Sequence, residues 1–160
     1  MTFETIAQKK RPVRILLVED NRGDAILTKR AFQKAMLPSQ ITVVSTGEDA
    51  IAMLYKDKST VADLLPDLIL LDLNLPRLNG QEVLKTIKEH DKLRHIPVVV
   101  LSSSRAKFDV VKSYNLHANG YVVKPASAER FQDMVKYLEQ FWFTLVIMPD
   151  VEDFKEVQGL

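Results

Sequence analysis

Four short apolar runs, each followed by polar residues able to hold a metal ion or an anion, constrain this chain more than anything else in it. The runs are residues 13–18, 68–71, 98–101 and 121–123. They are followed by Glu19 and Asp20, by Asp72 and Asn74, by Ser102 and by Lys124 respectively. Runs this short, rich in Val, Ile and Leu and lacking strict alternation, read as parallel strands buried on both faces. In an open parallel sheet, ligands bind in the crevice beyond the carboxyl ends of the strands. Three carboxylates, a hydroxyl and an amine are therefore expected to converge on one rim, as a site built around a metal and a phosphoryl group requires.

Helical patterns separate the runs. Residues 23–36 carry Ala25, Ile26, Leu27, Ala31, Phe32, Ala35 and Met36 at helical spacing, with Pro38 as the stop. Residues 41–44 form a further short strand. Residues 48–55 place Ala50, Ile51, Met53 and Leu54 on one face, and residues 80–90 do the same with Val83, Leu84 and Ile87. Residues 56–67 read as a helix extension plus a loop, and 105–116 and 126–143 complete the helices. Strands alternating with helices give an α/β fold, a doubly wound five-stranded parallel sheet with helices on both faces. The expected organisation is a flexible segment over 1–12, one domain over 13–143 and a tail over 144–160.

Composition removes several function classes. No cysteine is present, which excludes disulfides, thiolate chemistry and thiol-ligated zinc. A net charge of +1 offers no general attraction to nucleic acid or membranes. The first twelve residues are polar, with Lys9, Lys10 and Arg11 and no apolar stretch of a signal peptide. No run approaches the roughly 18 apolar residues that span a bilayer. A cytoplasmic domain is expected, with no nucleic-acid or membrane partner. The few residues after 143 leave no room for a helix-turn-helix.

Crowded carboxylates repel and raise one another's pKa, so Glu19, Asp20 and Asp72 together want a cation. Oxygen ligands alone favour a hard one, Mg²⁺ or Mn²⁺. Taken without Asp72, the Glu19–Asp20 pair reads equally well as an acidic strand end with Asp20 capping the next helix. Lys124, pointed at the carboxylates, would meet a phosphoryl oxygen as a point charge. A lone lysine at a strand end is otherwise simply solvated. Pro125 favours a fixed turn after it, with a cis Lys124–Pro125 bond as one way to aim the side chain. Of Ser102, Ser103 and Ser104, the first is best placed to reach the site and another to cap the following helix. His90, His95 and His117 have no spaced partner and read as surface or capping residues.

With these pieces in order, the chain resembles the response-regulator receiver domains of two-component signalling, which have a (βα)5 flavodoxin-like fold. The matching segments are Leu16-Leu-Val-Glu-Asp-Asn21, Leu70-Leu-Asp-Leu-Asn-Leu-Pro76 with Asn79-Gly80, Val98-Val-Val-Leu-Ser102 and Gly120-Tyr-Val-Val-Lys-Pro125, spread over roughly 13–142. The resemblance implies that Asp72 is the phosphoacceptor. It implies Mg²⁺ ligation by Asp20, Asp72 and the backbone carbonyl of Asn74, with Glu19 assisting. Ser102 would bond the phosphoryl group, Lys124 would pair with it, and Tyr121 would be the switching aromatic. Such a module is a switch and not an enzyme in the ordinary sense. Ser102 stands where Thr is commoner, and Ser103 is bulkier than the Ala or Gly often found there. Asn21-Arg-Gly-Asp-Ala25, the 56–65 connection and the tail at 141–149 are similar to the small regulators paired with phytochromes. That similarity implies a phytochrome histidine kinase as phosphodonor.

Phe141, Trp142 and Phe143 admit two readings: they finish the core, or they form a self-association surface of a homodimer. Residues 150–160 are polar and expected to fray. A phosphorelay intermediate remains an alternative role. An aspartate-nucleophile phosphatase is another, weakened because Asn74 stands where its second acid would be.

Overall fold

The computed structural model describes residues 11–56, 65–149, 153, 154 and 157. The expected N-terminal segment up to residue 10, the loop over 57–64 and most of the fraying tail lie outside those residues. The chain runs β1 (Val13–Val18), α1 (Arg22–Gln33), β2 (Ser39–Val44), α2 (Gly47–Tyr55), β3 (Leu68–Leu71), α3 (Gly80–Glu89), β4 (Val98–Ser102), α4 (Lys107–Asn115), β5 (Gly120–Val123) and α5 (Ala128–Glu139), then a π-helical segment, Gln140–Leu145.

All five strands are parallel, in the order β2-β1-β3-β4-β5. Ile15, Leu17, Leu68, Leu70, Val99 and Leu101 face α1 and α5, where Phe32, Phe131, Val135 and Leu138 cover them. Leu16, Val18, Ile69, Leu71, Val98 and Val100 face Ala50, Leu54, Val83, Leu84 and Ile87 of α2 and α3. The continuous apolar runs of β1, β3 and β4 follow from this double cover, since alternate side chains enter opposite layers. β5 differs from expectation: it is an edge strand, and its residues are only half-buried.

The chain steps from β1 outward to β2, then returns to the other side of β1 to lay down β3. The carboxyl ends of β1 and β3 thus flank the point where strand order reverses, the crevice in which doubly wound sheets bind ligands.

Helix boundaries depart from the sequence pattern where backbone hydrogen bonds decide them. α1 ends at Gln33, before Pro38, and α2 ends at Tyr55, so residue 56 does not extend it. α4 and α5 each begin two residues later than the pattern implies, at Lys107 and Ala128. α5 gives way at Gln140 to π spacing, in which the Val146 N–H donates to the Phe141 carbonyl at 2.9 Å. Every peptide bond among the described residues is trans, so the cis Lys124–Pro125 bond considered above does not occur.

Gly80 opens α3 pressed against the end of β3. A Cβ there would lie 2.1 Å from the Asp72 carbonyl oxygen and 2.6 Å from the Leu73 Cα. Only glycine lets the helix start so close to the backbone of Asp72, and Asn79 with Glu82 closes a capping box on that start.

Candidate phosphoacceptor and metal site

β1 and β3 deliver their carboxylates side by side because their ends are tied to neighbouring strands. The Glu19 N–H donates to the Val44 carbonyl and the Asp72 N–H to the Val18 carbonyl, both at 3.0 Å. Lys124 is set by the same device, its N–H donating to the Ser102 carbonyl at 2.8 Å. Asp72 is 3% exposed and Glu19 2%, while Asp20 opens to solvent.

Glu19, Asp20 and Asp72 each present an oxygen within 4.8 Å of the others'. Asn21, not Asp20, caps α1, accepting from the Asp24 N–H at 3.0 Å, so the capping alternative for Asp20 fails. Asp72 Oδ1 accepts from the Asn74 N–H at 3.1 Å, and Glu19 Oε1 from the Asn21 N–H at 3.0 Å. These donors fix both carboxylates and leave further lone pairs for a cation.

Lys124 Nζ lies 2.6 Å from Glu19 Oε2, 2.9 Å from Asp72 Oδ2 and 3.0 Å from Asp24 Oδ2. Burial alone would push its amine down, but the three carboxylates outweigh that and hold it well above the ordinary lysine range. Burial pushes the Glu19 carboxyl up to about 8; Asp72 beside it adds to the rise, and Lys124 opposes it. Glu19 Oε2 accepts no well-angled hydrogen bond, so its contact with Lys124 is an ion pair only. Glu19, Asp20 and Asp72 clustered beside one ammonium, with a buried Glu19 oxygen lacking a proper donor, make a donor set that a hard divalent cation fits.

The remaining sequence candidates divide. Ser102 is fully buried at the end of β4 beside Lys124, but its Oγ accepts from the Ser104 N–H at 3.1 Å. Tyr121 Oη donates to the Ser104 carbonyl at 2.9 Å. The hydroxyl and the aromatic thus meet on one loop residue. No serine is the N-cap of α4; instead Ser104 Oγ accepts from the Ala106 N–H at 3.2 Å and donates to Asp109 Oδ2 at 2.6 Å. Trp142 and Phe143 pack against the layer under α1 and α5, as the core-finishing reading expects, whereas Phe141 stays 49% exposed. His95 stacks on Phe154 with ring centroids 4.2 Å apart, and His90 Nδ1 accepts from the Lys92 N–H.

Asp24 was not legible as a site residue. An acid in the first turn of a helix is commonplace, because the helix dipole favours it there. Only the fold shows that it reaches a lysine one hundred positions away.

A doubly wound sheet with a carboxylate cluster and a lysine at its switch point defines a class: α/β domains that handle a cation and an anion at the strand ends. The response regulator receiver domain family matches residues 15–136, and the chain belongs to it. It is 38% identical to the response regulator Rcp1 of Synechocystis sp., across 86% of this chain and 94% of that protein. The crystal structure of the phosphorylated cyanobacterial phytochrome response regulator RcpA superposes with a TM-score of 0.81 at 40% identity, covering 88% of this chain and all of that one. The Mn²⁺-bound form of Rcp1 superposes at 0.79 with 38% identity, covering 87% of this chain and all of that one. The chain is thus a receiver domain related to phytochrome response regulators.

Proposed function

We propose that this receiver accepts a phosphoryl group on Asp72 from a phosphohistidine of a sensor histidine kinase of the phytochrome type. It then changes the face built by α4, β5 and α5. The observation carrying this reading is the buried Asp72 carboxylate, held at one oxygen by the Asn74 N–H and at the other by Lys124, beside two further acids.

In the transfer, an Asp72 oxygen forms the new O–P bond while the donor's N–P bond breaks, and its electron pair returns to the imidazole. Asp72 can attack because the Asn74 N–H and Lys124 orient its carboxylate before the donor arrives. Glu19, Asp20, Asp72 and the Asn74 carbonyl would hold Mg²⁺, with Mn²⁺ as a substitute. The cation supplies charge neutralisation at the moving phosphoryl group. Lys124, held charged, offers its N–H groups to the phosphoryl oxygens as a point charge.

The acyl phosphate adds acceptor oxygens beside Ser102. Its Oγ then exchanges the Ser104 N–H for a phosphoryl oxygen, acting as donor where it was acceptor. Tyr121, bonded to the Ser104 carbonyl, follows the loop. That local change biases a two-state face; full reversal from off to on needs about 5.5 kcal/mol of preference. On α4 and α5 Phe108, Val111, Tyr114 and Tyr137 are exposed, and Phe141 follows on the π-helical segment, offering apolar surface for a homodimer acting in the cytoplasm.

Acetyl phosphate with Mg²⁺ should label the wild-type protein and leave Asp72→Asn unlabelled. Label retained in Asp72→Asn at another residue would overturn the assignment.

A further inference from the structure

Asp24 stands apart from the acids that line the cation site. It is outside the Glu19, Asp20 and Asp72 cluster and sits in the first turn of α1, yet its Oδ2 accepts from Lys124 Nζ at 3.0 Å. An ammonium has three N–H groups. Here it donates to Asp24 and Asp72 and is ion-paired with Glu19, so an incoming anion meets an ammonium already engaged by three carboxylates.

An anion that draws on Lys124 competes with these carboxylates, and their burial tells which of them yields most readily. The side chains of Glu19 and Asp72 are 1% and 3% exposed, whereas that of Asp24 is 27% exposed. A carboxylate near water is resolvated at little cost when its partner leaves; a buried one is not.

We infer that Asp24 is a positioning residue that occupies the phosphoryl-binding lysine in the resting state and must release it when Asp72 is modified. It therefore acts as a brake on the anion-bound state. This rests on the reading of Asp72 and Lys124 above. The alternative is that Asp24 only complements the α1 dipole, in which case the anion affinity of the site does not depend on it.

The test is calorimetric titration of beryllofluoride, a phosphoryl stand-in, at saturating Mg²⁺. A separate Mg²⁺ titration of each protein fixes saturation. Asp24→Asn keeps the size and a weaker neutral acceptor, and should bind beryllofluoride about three- to tenfold more tightly, given the modest strength of part-exposed ion pairs. Asp24→Glu, which restores the charge, should return toward wild type. The Lys124 ammonium NMR signal should exchange faster with water in Asp24→Asn than in wild type before the anion is added. Unchanged or weaker beryllofluoride binding by a folded Asp24→Asn would overturn the inference. Wild-type protein that binds no beryllofluoride, or binds it equally as Asp72→Asn, would instead overturn the reading of the site itself.

Discussion

Two lysines, at opposite ends of the sheet, are both withdrawn from water and both ringed by oxygens, yet they are held in opposite ways. Lys124 lies past the carboxyl end of β5 against Glu19, Asp24 and Asp72. Lys88, on α3, donates to the Arg94 carbonyl at 3.1 Å, to the Ile96 carbonyl at 2.8 Å and to Asn119 Oδ1 at 2.9 Å, near the amino ends of β4 and β5. Carboxylates lift the first above the ordinary range, whereas burial pushes the second down to about 8. Neutral dipoles compensate a buried charge less than anions do.

The contrast separates two uses of an ammonium. Lys88 ties chain segments together: the Asn119 side chain that accepts from it also accepts from the Val98 N–H, so α3, the loop before β4 and the start of β5 share one knot. Lys124 sits among more negative charge than it can balance, and its partners are anions that another anion can replace. One end of the molecule spends its lysine on the fold, the other on exchange.

The contrast is most exposed to test at Lys124. Lys124→Ala should slow labelling by acetyl phosphate about a hundredfold, the order seen when one charge-stabilising donor is lost. The conformational response to phosphorylation should also disappear, with the protein still folded because Glu19 can take up a proton. An unaltered labelling rate would remove the lysine from the site.

Lys88→Met should behave in the reverse sense. It strands the Ile96 carbonyl and half the acceptor capacity of Asn119, costing about 1–3 kcal/mol in urea unfolding, with labelling by acetyl phosphate unchanged. A slowed labelling rate at intact stability would show that the two ends are not separable.

The smallest effect is expected at Glu139, an anion held by neutral groups. Burial raises its carboxyl above the usual range, while the Leu37 and Met36 N–H groups oppose the rise. The folded state therefore holds this proton to higher pH than the unfolded one. Its stabilising contribution is complete below the ordinary carboxylate range and is lost as pH climbs through the raised value. Glu139→Gln keeps the acceptor for the Leu37 N–H and should gain about 0.5 kcal/mol at pH 7 and less at pH 4. Equal effects at both pH values would mean that the carboxyl is not shifted.

The strand cores and the acceptor rim were legible because both depend on short-range pattern. A strand covered on two faces must be apolar throughout, as Leu68–Leu71 is, and polar residues directly after such strands have few places to go but the rim. Helix limits were less legible. Asn21 rather than Asp20 caps α1, a one-residue choice made by backbone geometry and not by residue type, since both side chains cap well. β5 read as fully buried because its composition matches β4; its place at the sheet edge is set by strand order, which composition does not encode.

The amino-acid sequence by itself determined the α/β alternation, the absence of thiol chemistry and the identity of Glu19, Asp20, Asp72, Ser102 and Lys124 as the polar groups at the strand ends. Strand order and side-chain reach were decided only by the tertiary structure. They place Asp24 on Lys124, and Ser104 between Ser102 and Tyr121. The physical reason is range: hydrophobic periodicity acts between near neighbours in the chain, whereas a contact across one hundred positions exists only after packing has brought α1 against the end of β5.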